Sequence, residues 1–555
     1  MTNTETRSGP YQTSGIFIRK PLFQALVIVF LFAVAFGVRI HNINTPLLDF
    51  APLRQYQSAH ITRGYYLETL ETVPEWKKEV ARLNAKRMGL LLEPRILESA
   101  TLLGYRILGG EYLWVPRVLS SIFWLIGGIF LYLTARKIAS QGGALLSTAF
   151  YLFLPFGISA SRAFQPDPMM IMMLLCSIFT ILRYHEQPSI SGLLIAAAAS
   201  ALAMFIKPYS LFLIFSLFIS LAVYRHGIRK ALMNPNLLIF TCLSFLPVVA
   251  YYIWGIFSNV GFLQEQAQAS LLPQLLLKPY FWKDWLIMIG RVTGYIPFMA
   301  ALLGFLIISR GLSRALLSGL WIGYFLFGLF FTVHIHTHEY YQLQFIPVVA
   351  FSIGQAGALA GSRLLNFLDS KKRVIIFALL LIVTIAGMGL AIRQMQREGD
   401  KKGLRTAAAF IGINTQFPKF IKGDFRREVK IAEEIGEIVG HSTNTVLLTP
   451  NFGRVIAYYG ELSGLPWPIS GSLRERKERG LRIPGKEELF NERYLLIRTH
   501  GKYIKYTPDF FIITDFREFE NQTDLKEFLN ANFPVTARTE DYLIFDLSSM
   551  SGLNR

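Results

Sequence analysis

The sequence predicts a polytopic α-helical membrane protein with a soluble α/β domain at its C-terminal end. Three observations carry that prediction. Of 555 residues, 52% are hydrophobic and only 17% are charged, far from the balance of a soluble globular chain. Apolar runs of about twenty residues recur as far as Ile392, each long enough to cross roughly 30 Å of hydrocarbon. Beyond Ile392 charged residues become frequent and no run is long enough to span.

Windows of about nineteen residues place spans near 22–40, 117–135, 142–160, 166–183, 191–206, 208–224, 237–257, 285–308, 313–333, 343–362 and 374–392. That makes about eleven, with Lys207-Pro208 as the break between two of them. The polar N-terminal stretch ends in Arg19-Lys20. The run after it is longer than a signal-peptide core and lacks a small-residue cleavage pattern, so it reads as a retained signal anchor. Arg19/Lys20, Arg136/Lys137, Arg183, Arg225/Arg229/Lys230, Arg310/Arg314 and Arg363/Lys371/Lys372/Arg373 all fall on one side of such a layout. The positive-inside bias then puts the N-terminus in the cytoplasm and the C-terminal domain outside a plasma (inner) membrane. The net charge of +19 is explained by this topology and gives no support to nucleic-acid binding. Cys176 and Cys242 lie inside apolar runs and read as small buried hydrophobes, with no disulfide or metal-ligand spacing around them.

Four segments face outward: the loop 41–116, the turn Ser161–Pro168, a loop from about Ser258 to Asp284, and the turn His334–Tyr341. Their charges run against the topological bias, so topology does not explain them. Arg54, Arg162, Lys207 and Arg291 are cations at this face; Asp49, Glu93, Asp167 and Glu339 are anions. Ionisable groups at a membrane edge are expensive unless paired or used. A transporter collects its polar groups near the bilayer midplane, whereas here the mid-span positions are almost free of charge. The pattern favours surface chemistry on a lipid-anchored substrate over a lipid-linked glycan flippase or a non-catalytic membrane assembly protein. Asp49, followed by Arg54-Gln55 just past the first apolar run, is the leading candidate. An arbitrary loop Asp is more often a solvated surface residue; the gathering of charge on one face is what singles this one out.

From 393 to 555, short β-type runs at Thr445–Leu448, Phe510–Thr514 and Tyr542–Phe545 alternate with helical patterns at Arg427–Val439 and Asp524–Ala531. Strands alternating with helices argue a small α/β domain. Residues 1–392 then form the membrane module, its first outer loop being 41–116.

Four local patterns occur in order along the membrane module. The first is Asp49 with Arg54-Gln55. The second is Leu92-Glu93-Pro94, then a Gly-Tyr-Arg-Ile-Leu-Gly-Gly stretch and Pro116-Arg117-Val118-Leu119-Ser120. The third is Arg162 with Gln165-Pro166-Asp167-Pro168. The last is His338-Glu339-Tyr340-Tyr341 with Pro347 following. This order resembles the GT-C superfamily of membrane glycosyltransferases. Within it, the chain is similar to the dolichyl-phosphate-mannose–protein mannosyltransferase-like group that includes the lipid A aminoarabinose transferases. The resemblance covers roughly residues 15–395. Arg95 stands where the Glu-x-Pro segment usually has Pro or Leu, which weakens the carry-over to Glu93.

The resemblance implies an inverting hexosyl- or pentosyltransferase of the cell envelope. It would move a sugar from a polyprenyl-phosphate-linked donor to a glycan, lipid or protein acceptor, with membrane lipid around it and no nucleic acid. Asp49 would be the general base and Asp167 would orient the acceptor or a basic partner. Arg54, Arg162, Lys207 and Arg291, with His338, Tyr340 and Tyr341, would face the donor phosphate, while Gln55, Glu93 and Glu339 complete the site. His334, His336 and His338 alternate, and in an extended strand they would share one face. Glu93 and His338 would then hold a divalent metal ion, the only cofactor implied; a hydrogen bond from His338 to the phosphate is the other reading. Tyr340 and Tyr341 are as readily interfacial aromatic belt as sugar platforms.

Overall fold

The computed structural model describes residues 21–88, 93–258, 271–308, 310–365, 423–471, 473, 495–499 and 502–548. The chain gathers into two compact units. The first comprises Met1–Ile43, Arg117–Trp254 and Gln264–Lys422; the second comprises Asn44–Pro116, Gly255–Leu263 and Gly423–Arg555.

The first unit is helical. Among the described residues, 5 helices are long and apolar enough to cross a membrane, or up to 7 if each of two bent pairs is one span, and Gln24–Ile40, Ile190–Ile206 and Phe345–Ala360 are shorter apolar helices. Every span expected before residue 363 falls on one of these helices or bent pairs. The segment 374–392 lies outside the described residues.

The bends have local causes. Gln141–Phe153 and Pro155–Ser161 meet at 59°, where Pro155 lacks an N–H and pushes Leu154 out of the helical region, to ψ 123. The run near 285–308, expected as one span, is in fact two helices, Pro279–Thr293 and Tyr295–Ile307, turned 99° at Gly294. Gly294 has φ 79, a conformation that glycine adopts without a Cβ penalty. Lys207 is extended (φ −148, ψ 115) between Ile206 and Pro208, so the helix breaks where the Lys-Pro dipeptide predicts. Close approach is built on small residues: a Cβ on Gly323 would sit 2.5 Å from the Phe212 carbonyl oxygen, which is how the Leu312–Phe330 helix packs on Leu211–His226.

The second unit combines three helices of the first outer loop (Pro52–Leu67, Glu75–Met88, Ile96–Leu108) with a mixed sheet. In chain order the strands are β1 (Thr445–Leu448), β2 (Gly464–Pro466), β3 (Leu495–Thr499), β4 (Lys502–Tyr506), β5 (Phe510–Ile513), β6 (Val535–Arg538) and β7 (Leu543–Asp546). The main sheet runs β2-β1-β5-β7-β6, and β3-β4 form a separate antiparallel pair. β1 is parallel to β2 and β5, while β7 runs antiparallel to both β5 and β6. Alternate residues feed opposite faces, as the period-2 pleat requires. Val446, Leu448, Phe511 and Ile513 pack with Phe519, Leu525 and Leu529. Leu447 and Ile512 pack with Ala432, Ile435 and Ile456. Both faces are thus covered by helices, which explains why these strands read as unbroken apolar runs. The Arg426–Ile438 helix comes so close to Gly460 that a Cβ on Gly436 would meet the Gly460 oxygen at 2.1 Å.

Loop and sheet are joined in this unit by polar contacts. Asn84 Nδ2 donates to Leu462 O at 2.9 Å, Arg87 Nη1 to Ser463 Oγ at 2.7 Å, and Trp76 stacks on His441 at 4.4 Å.

Candidate functional site

In the second unit the site is built around the turn Leu47–Ala51. Ala51 takes a left-handed conformation (φ 39, ψ 59) immediately before Pro52, which opens the Pro52–Leu67 helix with a preset φ. Gln55, one turn into that helix, is fully buried. Its Nε2 donates to the carbonyl oxygens of Leu47 and Phe50 and lies 3.5 Å from Asp49 Oδ1. One carboxamide therefore fixes both the turn and the carboxylate it carries. Asp49 itself is only 4% exposed, so its oxygens work in a drier setting than a loop Asp ordinarily has.

Arg54 Nη2 pairs with Glu93 Oε2 at 2.7 Å, and its Nη1 donates to Gln57 Oε1 at 3.1 Å. Arg454, from the sheet domain, donates through Nη1 to Leu53 O at 2.6 Å and to the same Gln57 Oε1 at 3.3 Å. His60 Nε2 lies 3.0 Å from Arg454 O; a carbonyl can only accept, so Nε2 carries the hydrogen. Burial, reinforced by the charges of Arg63 and Arg454, pushes the His60 pKa down to about 3. Arg63 pairs with Glu111 at 2.9 Å and lies 3.4 Å from the centre of the Tyr458 ring, whose hydroxyl also reaches Glu111. Burial opposes the Arg63 charge, but Glu111 outweighs it and the pKa is raised. Burial raises Glu98 above the usual carboxylate range, against a 2.6 Å hydrogen bond from Ser58. The same unit holds a cavity of about 550 Å³ whose lining includes Glu111, Tyr112, Trp114, Lys430, Glu433 and Tyr459.

The other sequence-selected residues lie in the first unit. Arg162 donates to the carbonyl oxygens of His41 (2.5 Å) and Asn42 (2.9 Å), tying the turn to the end of the Pro21–Ile40 helix. Asp167, fully buried at the start of Asp167–Glu186, pairs with Lys207 Nζ at 3.0 Å and accepts from Tyr209 Oη at 2.9 Å. The Lys207-Pro208 break is what delivers the ammonium and the phenol to one carboxylate. Around that pair, Lys207 Nζ is 5.9 Å from the Tyr340 ring centre and Tyr209 packs on Tyr341 at 5.4 Å. Arg291 faces Glu339 at 3.5 Å, and burial raises the Glu339 pKa against the pull of Arg291.

The three histidines do not form an extended strand. His334 and His336 lie in a short helix, Thr332–Thr337, with His338 after it. Positions two apart on a helix point to opposite sides. His334 stacks on Tyr341 at 4.6 Å, His336 Nδ1 lies 2.6 Å from Thr332 O, and His338 Nδ1 lies 2.7 Å from Thr337 Oγ1. Burial, with neighbouring charge, lowers His334 to about 4 and also lowers His338, so both imidazoles are neutral at physiological pH. Among the described residues no three His, Cys, Asp or Glu side chains come together as a metal site, and Glu93 is engaged by Arg54. Glu93 and His338 belong to different units.

Sequence reasoning did not select Tyr209, Gln57, Arg454 or Gln344, and named Gln165 only within the Arg162–Pro168 pattern. Gln165 and Gln344 are buried with both ends of their carboxamides unbonded among the described residues. The Lys-Pro-Tyr tripeptide was a usable signal for Tyr209. None exists for Arg454, which lies 397 positions from Gln57.

Residues 100–254 match the family profile described as dolichyl-phosphate-mannose-protein mannosyltransferase. Among solved structures, the chain is similar to ArnT from Cupriavidus metallidurans in the apo state: TM-score 0.55, 15% identity, covering 95% of this chain and 98% of that one. The chain has the fold of that structure. ArnT bound to undecaprenyl phosphate superposes equally (TM-score 0.54, 14% identity, 95% and 98% coverage). The Archaeoglobus fulgidus oligosaccharyltransferase in the apo form matches at TM-score 0.50 and 11% identity, over 89% of this chain and 70% of that one. A sequence comparison with curated proteins returns no match. With this fold and its apolar helices, the chain is a multi-pass membrane protein.

Two outcomes follow from these buried groups. Lys207→Met should cost about 3–5 kcal/mol of stability, because it strips a buried carboxylate of its ion pair; Lys207→Met combined with Asp167→Leu should recover most of that loss in thermal melts of the detergent-solubilised protein. His60 is depressed on folding, so its contribution is complete above the unfolded pKa of about 6.5 and is lost as pH falls from there toward 3. Wild type should therefore lose several kcal/mol over that window. His60→Gln should flatten this part of the melting-temperature profile, and an unchanged slope would reject His60 as its source.

Proposed function

We propose that the chain is an inverting glycosyltransferase, a hexosyl- or pentosyltransferase of the cell envelope. It moves a sugar from a polyprenyl-phosphate-linked donor to an acceptor hydroxyl on a glycan, lipid or protein at the outer face of the membrane. The observation that carries this reading is Asp49: a buried carboxylate fixed by Gln55 at the head of a helix in a chain with the GT-C fold. The match to the mannosyltransferase profile, and the ArnT structure that contains undecaprenyl phosphate, support the donor class.

The chemistry is a single displacement. Asp49 accepts the proton of the acceptor hydroxyl as its oxygen attacks the anomeric carbon. The new carbon–oxygen bond forms on the face opposite the breaking bond, and the configuration inverts. The bonding pair departs with the phosphate, which leaves as an anion and needs no strong general acid. What it needs is fixed positive charge, for which Arg54, Arg162, Lys207 and Arg291 are the candidates. Neutral His338 serves as a hydrogen-bonding partner, and Tyr340 and Tyr341 offer ring faces. Asp167 holds Lys207 in place, and Gln55, Glu93 and Glu339 position Asp49, Arg54 and Arg291 in turn.

The layout supports an eleven-span arrangement with a cytoplasmic N-terminus and an extracytoplasmic soluble α/β domain, since the inter-span basic clusters then share one side. That domain is assigned to acceptor recognition, with the cavity lined by Tyr112, Trp114 and Tyr459 as its place.

Asp49→Asn preserves size and hydrogen bonding but cannot take a proton, so transfer from a polyprenyl-phosphate sugar should fall about 10²-fold or more at unchanged membrane abundance. Near-normal transfer would remove Asp49 from the mechanism. A reporter active only outside the cytoplasm, fused after Arg555, should be active, and one active only in the cytoplasm should be silent; the reverse pair of results would mean a miscounted span.

A further inference from the structure

The guanidinium groups of Arg54 and Arg454 converge on one neutral atom. Gln57 Oε1 accepts from Arg54 Nη1 at 3.1 Å and from Arg454 Nη1 at 3.3 Å. Two like charges on either side of a single oxygen repel each other, and Glu93 pairs with Arg54 at 2.7 Å. The acceptors of Arg454 among the described residues, Leu53 O and Gln57 Oε1, are uncharged. Burial, and then the charge of Arg54, lowers the Arg454 pKa to about 10, which leaves it fully charged at neutral pH.

The backbone that delivers Arg454 is costly. Asn451, Phe452 and Gly453 follow one another with φ of 55, 54 and 74, and left-handed non-glycine residues cost of order 1–3 kcal/mol each. A merely structural surface arginine needs no such run. The segment leaves the carboxyl end of β1, a strand with parallel neighbours on both sides, and in open α/β sheets ligands bind at that end.

We propose that Arg54 and Arg454 together bind one phosphate-type oxyanion, with Gln57 spacing the two forks in the absence of ligand. Two planar forks converging on a point match the several oxygens of a phosphate. An anion there relieves the repulsion between the two forks. The proposal rests on the transferase reading for its ligand sources: the phosphate of the polyprenyl donor, or a phosphate on a lipid acceptor. Through Arg454, the sheet domain contributes to the same helix that positions Asp49.

The test uses the full-length chain in detergent and three probes: a short-chain polyprenyl phosphate, the matching uncharged polyprenol, and phosphatidic acid micelles. Arg454→Gln keeps a donor for Leu53 O and removes the charge; Arg454→Lys keeps the charge. Wild type should bind polyprenyl phosphate or phosphatidic acid, whichever source applies, and not polyprenol. Arg454→Gln should bind that phosphate about ten- to hundred-fold more weakly without melting at a lower temperature, and Arg454→Lys should keep most of the affinity. Wild-type affinity in Arg454→Gln overturns the inference, and so does a loss accompanied by a lower melting temperature that Lys does not rescue. If wild type ignores polyprenyl phosphate yet binds phosphatidic acid through Arg454, the donor reading fails and the oxyanion site stands. If it binds neither, the oxyanion site fails as well.

Discussion

The second unit depends on one constraint: the Pro52–Leu67 helix is buried although much of it is polar. Gln55, Ser58, His60 and Thr62 are all buried, and a buried polar group without a partner costs about 1–3 kcal/mol. Each has found one. Gln55 holds the Asp49 turn, Ser58 donates to Glu98, His60 donates to the carbonyl of Arg454, and Thr62 donates back to Ser58 O. The partner of His60, and one of the partners of Arg63, come from the far end of the sequence. The helix whose Gln55 holds that turn is therefore itself bonded to a segment roughly 400 positions away.

The same accounting governs the charges. Lys207 and Asp167 are 2% and 0% exposed and pair with each other; Arg63 and Glu111, half-buried, form a second pair. Such pairs add little net stability, because desolvation consumes most of the attraction. What they provide is position, with an ammonium or guanidinium held at one point in a dry setting where it acts strongly on a nearby anion. Arg54 and Arg454 depart from this pattern: two cations share one neutral oxygen of Gln57, and an anionic ligand would offset their repulsion.

Much of the helical layout was legible in the sequence because hydrocarbon imposes length and polarity on every span. The break at Lys207-Pro208 and the apolar runs at Thr445–Leu448 and Phe510–Ile513 were readable for equally local reasons. The 99° turn at Gly294 was not, because a single glycine within an apolar run leaves the hydropathy unchanged. The His334–His338 stretch was read as extended on alternation alone, whereas a short helix between two breaks can take the same residues. For the candidate site, chain order and sidedness selected Asp49, Arg54, Gln55 and Glu93, which the fold gathers in one unit. Gln57 and Arg454 were not, because their relation exists only in the folded unit and the intervening sequence carries no trace of it.

In the proposed reaction Asp49 takes a proton in a single displacement at the anomeric carbon. The most direct measurement is the anomeric configuration of the product, read by NMR after transfer from a polyprenyl-phosphate sugar of known configuration by the purified full-length protein. The account predicts complete inversion, with polyprenyl phosphate released mole for mole. A product that retains the donor configuration would require two displacements through a covalent glycosyl-enzyme, and would contradict the role given to Asp49.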